Sequence, residues 1–234
     1  LTTVYNGALY LKEAIESVIN QTWTDFEFLI IDDASTDRSV KIIKSYKDSR
    51  IRFIQNEQNI GQTASLNKGL EVANGKYIAR LDQDDVCLPE RLKEQVQFLQ
   101  NHPEISIVCS WEYTIDAQGV KKREWKRKLD NDGTFLGYIL LGLCPIWHPS
   151  VMLNKNDIMG IGGFDVSFGP SEDYELWSRI AMSRRKSAIL PYFHLLQRVH
   201  EESQSVISHK KQVDSTKRAH SIVLSQFIQR NDVK

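Results

Sequence analysis

Cysteine is scarce in this chain: Cys87, Cys109 and Cys144 are all that 234 residues carry. They are too few and too scattered for a disulfide framework, and no CxxC pair offers a zinc site. They read as small core residues of a reducing, cytoplasmic compartment. Net charge is also lacking, with 30 Lys and Arg balanced by 30 Asp and Glu. No global field therefore draws the chain to nucleic acid, and partners must be recognised at specific sites. There is no long apolar run. The longest, YILLGLCPIW (138–147), is too short to span a bilayer and is broken by Gly142 and Pro145. No signal-peptide pattern is visible, and peripheral contact with the inner face of a membrane stays open. A P-loop, HExxH and GxSxG are all missing, and GIGGF (160–164) lacks the preceding strand and the spacing of a dinucleotide fingerprint. The opening LTTVYNG reads as the end of a strand that begins upstream.

What is present is ordinary globular usage, 41% hydrophobic and 26% charged. The length suits one large α/β domain or two small ones. Leu11, Ile15 and Val18 share a helical face after the Asn6-Gly7 turn. FEFLII (26–31) is a continuous apolar run, the pattern of a strand buried on both faces. Ser35 or Thr36 is positioned to cap the helix that follows. IRFIQ, KYIARL and ISIVCS read as further strands. Between them lie helices with buried stripes at Leu66, Leu70 and Ala73 and at Leu92, Val96 and Leu99. This alternation predicts right-handed crossovers and a largely parallel sheet with helices on both faces. After residue 111 the pattern changes to a hairpin around Ala117–Gly119, a strand at SVMLN, a helix at SEDYELWSRIAMS and a final weakly amphipathic helix.

Polar clusters follow three successive strands: Asp32-Asp33, Asn56 to Asn59, and Asp82 to Asp85. In such sheets ligands bind beyond the carboxyl ends of strands, so the clusters converge on one site. RLDQDD concentrates three carboxylates in four positions. In an extended segment Asp82 and Asp84 point the same way, and Asp85 points elsewhere, toward the turn into the next helix. Two converging carboxylates beside a diphosphate form a hard-oxygen site for Mg2+ or Mn2+. A solvated acidic turn at the head of the helix near Pro89 is the competing reading. IIDDASTD reads either as a base-binding carboxylate or as helix-capping acids. Glu172 and Asp173 read either as first-turn acids or as a source of a general base. His200 sits in a polar run with Arg198, Ser203 and Ser205 that fits a loop folded over a site. VKKREWKRK (120–128) is strongly basic around Trp125: a solvated face, or a contact for an anionic acceptor or membrane surface.

Taken in order, VYNG, QTWTDFEFLIIDDASTD, NEQNIGQTASLNKGL, GKYIARLDQDDVCLPERL, HPSVM, GGFD, EDYELWSR and RVHEESQS resemble family 2 glycosyltransferases of the bacterial surface-polysaccharide type. The resemblance covers nearly the whole chain. It implies the GT-A fold, a Rossmann-like three-layer α/β/α arrangement with a mostly parallel central sheet, over residues 1–234. Residues 1–110 would be the nucleotide-sugar half, 111–208 the acceptor and catalytic half, and 209–234 a C-terminal helix. It also implies inverting transfer from a nucleotide-diphosphate sugar, UDP-linked by preference, to a glycan or lipid-linked glycan acceptor. Thr3 and Tyr5 would line the nucleotide pocket and Asp33 would read the base. Asp82 would touch ribose and diphosphate, Asp84 would ligate Mn2+ or Mg2+ with His200 closing over it, and Asp173 would be the catalytic base. Gln62 and Lys68 stand where the family often has a basic residue. The QxxRW signature is missing, which points to single-sugar transfer. A nucleotidyltransferase and a non-catalytic nucleotide-sugar module are the rival readings. The first lacks a glycine-rich triphosphate loop, and the second is opposed by the intact Glu172-Asp173 pair.

Overall fold

The computed structural model describes residues 1–129, 132–183 and 185–232, without side chains at 132, 133, 204, 205, 231 and 232. The Ser205 hydroxyl and the last two residues of the expected 209–234 helix lie outside the described residues.

The first half starts from short, strongly apolar strands. β1 (Thr2–Val4), β2 (Phe28–Asp32) and β3 (Ile51–Gln55) form a parallel sheet in that order. All five residues of β2 are buried, and alternation sends them to opposite faces. Phe28 and Ile30 pack on Leu11, Ile15 and Ile43 from α1 (Leu11–Ile19) and α2 (Ser39–Ser45). Leu29 and Ile31 pack on Leu66 and Leu70 from α3 (Gln62–Val72). The sheet is thus covered on both sides, as the continuous apolar run requires. Truncating Leu70, fully buried here, removes about 2–5 kcal/mol of stability. The cap of α2 is neither Ser35 nor Thr36. Asp37 accepts from the Ser39 N–H (2.8 Å), while Ser35 Oγ and the Thr36 N–H bond to Asn6.

The second sheet begins with β4 (Tyr77–Ala79) and β5 (Val86–Cys87), followed by α4 (Arg91–Asn101) and β6 (Ile105–Ile115). β7 (Lys121–Trp125) returns from β6 through the expected hairpin, where Gly119 has φ +83°. Then come α5 (Asp132–Leu140), a 3-10 turn at His148–Ser150, β8 (Met152–Asn154) and α6 (Lys155–Gly160). A second 3-10 turn at Val166–Phe168 leads to α7 (Glu172–Met182), β9 (Lys186–Arg198), α8 (Gln204–Ile207) and α9 (His209–Asp232).

Strand order is β4-β8-β6-β9-β5, with β7 on β6. Parallel pairing, predicted for most of the sheet, holds in β1–β3 and between β6 and β9, while β4, β5, β7 and β8 pair antiparallel. The reason is that β8, from the second half of the chain, inserts between β4 and β6. Pairing also passes between the sheets through the Leu81 N–H to Leu1 carbonyl bond (3.1 Å). Leu92, Val96 and Leu99 of α4 close over Val108, Met152 and Leu190. Leu176, Trp177 and Ile180 of α7 are fully buried. All three cysteines are free, two of them buried.

Candidate active site

The ends of β1, β2 and β4 and the start of α7 open onto one cleft of about 530 Å3. Thr3, Tyr5, Asp33, Asp82, Asp84, Asp173 and His200, the residues to which the resemblance gives roles, all line it.

On one wall, the buried Asp33 carboxylate is held by three donors: the Asn56 side chain (2.8 Å) and the Ile60 and Gly61 N–H groups (2.9 Å each). Those two amides lead into α3. Lys68, from the next turns of α3, donates to Asn56 Oδ1 (2.7 Å) and so stays behind this cluster. Gln62 does face the acids, at 3.5 Å from Asp82.

The acidic segment is not extended. Residues 83 and 84 form a turn, and the Asp85 N–H points back to the Asp82 carbonyl (3.4 Å). The alternation argument therefore fails, although Asp82 and Asp84 both reach the cleft. Asp82 pairs with the buried Arg80 guanidinium. Gln83 clamps the turn to β1, accepting from the Tyr5 N–H (2.9 Å) and donating to the Tyr5 carbonyl (3.3 Å). A Cβ on Gly7 would lie 2.3 Å from Gln83 Oε1, so any larger residue there must displace the Gln83 side chain. Asp84 Oδ2 lies 2.9 Å from His200 Nε2, and the imidazole packs on Tyr10 with ring centroids 4.8 Å apart. Burial, then the Asp82 charge, pushes the Asp84 carboxyl above its ordinary value, and His200 opposes the shift.

Asp85 does not support the turn into α4. It is buried, and its Oδ1 accepts from the Arg198 N–H (2.8 Å), fixing the end of β9. Burial, then the Asp84 charge, raises its carboxyl well above the ordinary value. Arg198 then braces the whole turn, through the Asp84 carbonyl (3.0 Å) and Glu13 (2.5 Å).

A second wall of the cleft is the start of α7. Glu172 is buried, with its carboxyl pushed up to about 7 by burial and then by the neighbouring Asp173 charge. Asp173 is half-buried and accepts from the Tyr174 N–H (2.7 Å). Burial raises its carboxyl, against the Tyr174 hydrogen bond and the pull of Arg80. A carboxylate raised in this way is a stronger base than one in water. His148 completes this wall, 3.9 Å from Glu172, and burial followed by the Arg80 charge depresses its imidazole well below the ordinary value.

Three buried arginines organise the site; the sequence marked Arg198 as part of a run over it but gave no role to Arg80 or Arg91. Arg80 faces Asp82. Arg91 donates to the Arg80 carbonyl (2.7 Å) and the Val151 carbonyl (3.1 Å). Arg198 carries the contacts just described. Each stands in an apolar context (IARL, PERL, LLQRV), which is the signal that was available.

No group of three or more His, Cys, Asp or Glu side chains forms a closed cation cage among the described residues. Asp84 with His200 offers a carboxylate oxygen and an imidazole nitrogen. That donor pair fits a divalent cation that takes its remaining ligands from phosphate oxygens and water.

Residues 1–157 match the family model described as glycosyl transferase family 2, and the chain belongs to that family. An uncharacterized glycosyltransferase of Methanocaldococcus jannaschii, MJ1057, is 38% identical over 206 residues, covering 87% of this chain and 70% of that protein. The amylovoran biosynthesis glycosyltransferase AmsE of Erwinia amylovora is 28% identical over 183 residues, 77% of this chain and 67% of AmsE. Among solved structures, S. aureus TarS 1-349 in complex with UDP superposes with a TM-score of 0.72 at 20% identity, over 95% of this chain and 64% of that one. The mannosyltransferase PcManGT of Pyrobaculum calidifontis, in complex with GDP-Man and Mn2+, gives 0.70 at 17%, over 97% and 63%. The fold is of the α/β GT-A type. The chain spans about two thirds of the length of these proteins.

Proposed function

We propose that this chain transfers one sugar from a nucleotide-diphosphate sugar, UDP-linked by preference, to a hydroxyl of a glycan or lipid-linked glycan, with inversion. The observation that carries the proposal is the pairing of walls. Asp82, Asp84 and His200 reach a single cleft from the segments after β4 and β9, and Glu172 and Asp173 reach the same cleft from the start of α7. In-line displacement needs two such groups in one cleft, because a base must take the acceptor proton while other residues hold the leaving diphosphate.

In this reading Thr3 and Tyr5 border the nucleotide and the Asp33 carboxylate accepts from its base. Asp82 meets ribose and diphosphate. Asp84 and His200 hold Mn2+ or Mg2+, which when bound offsets the charge that builds on the leaving diphosphate. Asp173 takes the proton of the acceptor hydroxyl as the new bond forms, aided by a site that raises its basicity. Glu172, more buried on the same helix, has its carboxyl pushed up to about 7 and so is only partly ionised near neutral pH. The complexes of TarS with UDP and of PcManGT with GDP-Man and Mn2+ support a nucleotide-sugar donor and a divalent cation here. The name of AmsE supports a polysaccharide acceptor.

The test is a transfer assay with UDP-, GDP- and dTDP-sugars and Mn2+, reading the anomeric configuration of the product by NMR. Inverted product is expected. Retained configuration sinks the single-displacement mechanism, and no turnover of any donor sinks the enzyme reading.

A further inference from the structure

The cleft uses the acids of the chain and leaves its densest run of positive charge without a role. Lys121, Lys122, Arg123, Lys126, Arg127 and Lys128 surround one acid, Glu124, in a chain whose net charge is zero. All are exposed except the half-buried Arg127. Lys122 pairs with Asp116 and Lys126 with Glu124, so the segment keeps a clear positive excess. The cations lie over aromatic rings: Lys121 is 3.9 Å from the Tyr113 ring centre and Arg123 is 3.8 Å from that of Trp125.

This segment is tied to an apolar protrusion. Arg127 donates to the Cys144 carbonyl (2.7 Å). It thereby holds the loop after α5, where Leu141 is 74% and Leu143 48% exposed. Trp125 also packs on Trp147, with ring centroids 5.2 Å apart, and Trp147 lines the cleft. The basic segment, the leucine loop and the cleft wall are therefore neighbours through direct contacts.

We propose that the β6–β7 hairpin, the segment through Lys128 and the Leu141–Leu143 loop dock this protein on an anionic lipid bilayer beside the mouth of the cleft. Lipid phosphates take the cations, the aromatic rings suit the headgroup level, and the leucines enter the acyl boundary. A solvated face needs none of the leucines, and a soluble polyanion would leave them in water. The placement brings a lipid-linked acceptor to the cleft. It takes its purpose from the proposed transfer reaction, but the binding itself does not depend on it.

Co-sedimentation of the full chain with vesicles of phosphatidylcholine, with and without phosphatidylglycerol, tests the surface. Binding is expected only to the anionic vesicles, and to weaken with added salt. Lys121→Glu with Arg123→Glu should weaken it about ten-fold or more. Leu141→Ser with Leu143→Ser should weaken it while keeping its salt dependence. No vesicle binding, equal binding to neutral vesicles, or indifference to both pairs of substitutions overturns the proposal. Binding to dextran sulfate that matches vesicle binding and ignores the leucine pair also overturns it, in favour of an anionic glycan. Melting curves of both variants check that they fold. Transfer to a soluble acceptor without vesicle binding would sink the docking surface alone, and vesicle binding without transfer would sink the proposed reaction alone.

Discussion

The two walls of the cleft are built on opposite plans. The wall at the ends of β1, β2 and β4 is dense with hydrogen bonds, although Asp32 Oδ1, Arg80 Nε and Asp85 Oδ2 have no partner among the described residues. Asp33 has three donors, Gln83 clamps the acidic turn twice, and Arg198 and His200 grip Asp84. The α7 wall is sparse. Asp173 has one backbone donor, and His148 Nε2 and Trp147 Nε1 have no partner among the described residues. A wall that meets the same phosphates and ribose in each cycle gains from preorganisation. A wall that must accept a proton gains from dryness and few competing donors, since both raise a carboxylate's affinity for protons.

Replacing Asp173 with Asn breaks the comparison most sharply. Transfer should fall about 10^2–10^4-fold, while nucleotide diphosphate still binds in the presence of Mn2+. Calorimetry alongside the activity assay checks it, and equal loss of both would show that the walls are not separable. Next comes Asp84→Ala. Metal-dependent nucleotide affinity should drop about ten-fold or more, and affinity unchanged by the substitution would remove Asp84 from the cation site.

Glu112 lies behind the walls, on β6, where both its oxygens are buried without partners. Burial pushes its carboxyl up to about 8, against the charges of Arg91 and Arg127. Between its ordinary value near 4.5 and about 8, the native chain holds a proton that the unfolded chain has lost, so stability falls as pH rises through that window. Asp85 acts in the same direction. Glu112→Gln should flatten the decline of melting temperature across the window, and an unchanged slope would show that Glu112 is ionised in the fold. The smallest effect is expected at Gln83→Ala. Loss of the Tyr5 clamp should weaken nucleotide binding about five-fold, the equivalent of one neutral hydrogen bond of about 1 kcal/mol.

Much of this was legible in the residues. The five buried positions of β2 follow from an unbroken apolar run, and the stripes of α1 and α4 from helical spacing. Acid clusters after strands marked the cleft correctly because strand ends converge there. Asp85 was misplaced because strand alternation was carried one turn too far: the chain leaves the sheet after Ala79, and side-chain direction then follows the turn. β8 could not be placed between β4 and β6 from local pattern, since that pairing joins residues some seventy-five positions apart. Arg198 was placed in a polar run over the site, but Arg80 and Arg91 were given no place in it, since arginine usually lies at the surface. Their burial is set by carbonyl and carboxylate partners far along the chain.

The Gln83 clamp links two positions in any effort to reshape the nucleotide pocket. With Gln83 in place, every side chain at position 7 collides with it. A side chain at position 7 is therefore accommodated by turning Gln83 aside, at about the cost of losing the clamp. Shortening position 83 removes the contact outright, so small residues at position 7 should cost less once Gln83 is replaced, and the two positions are best varied together.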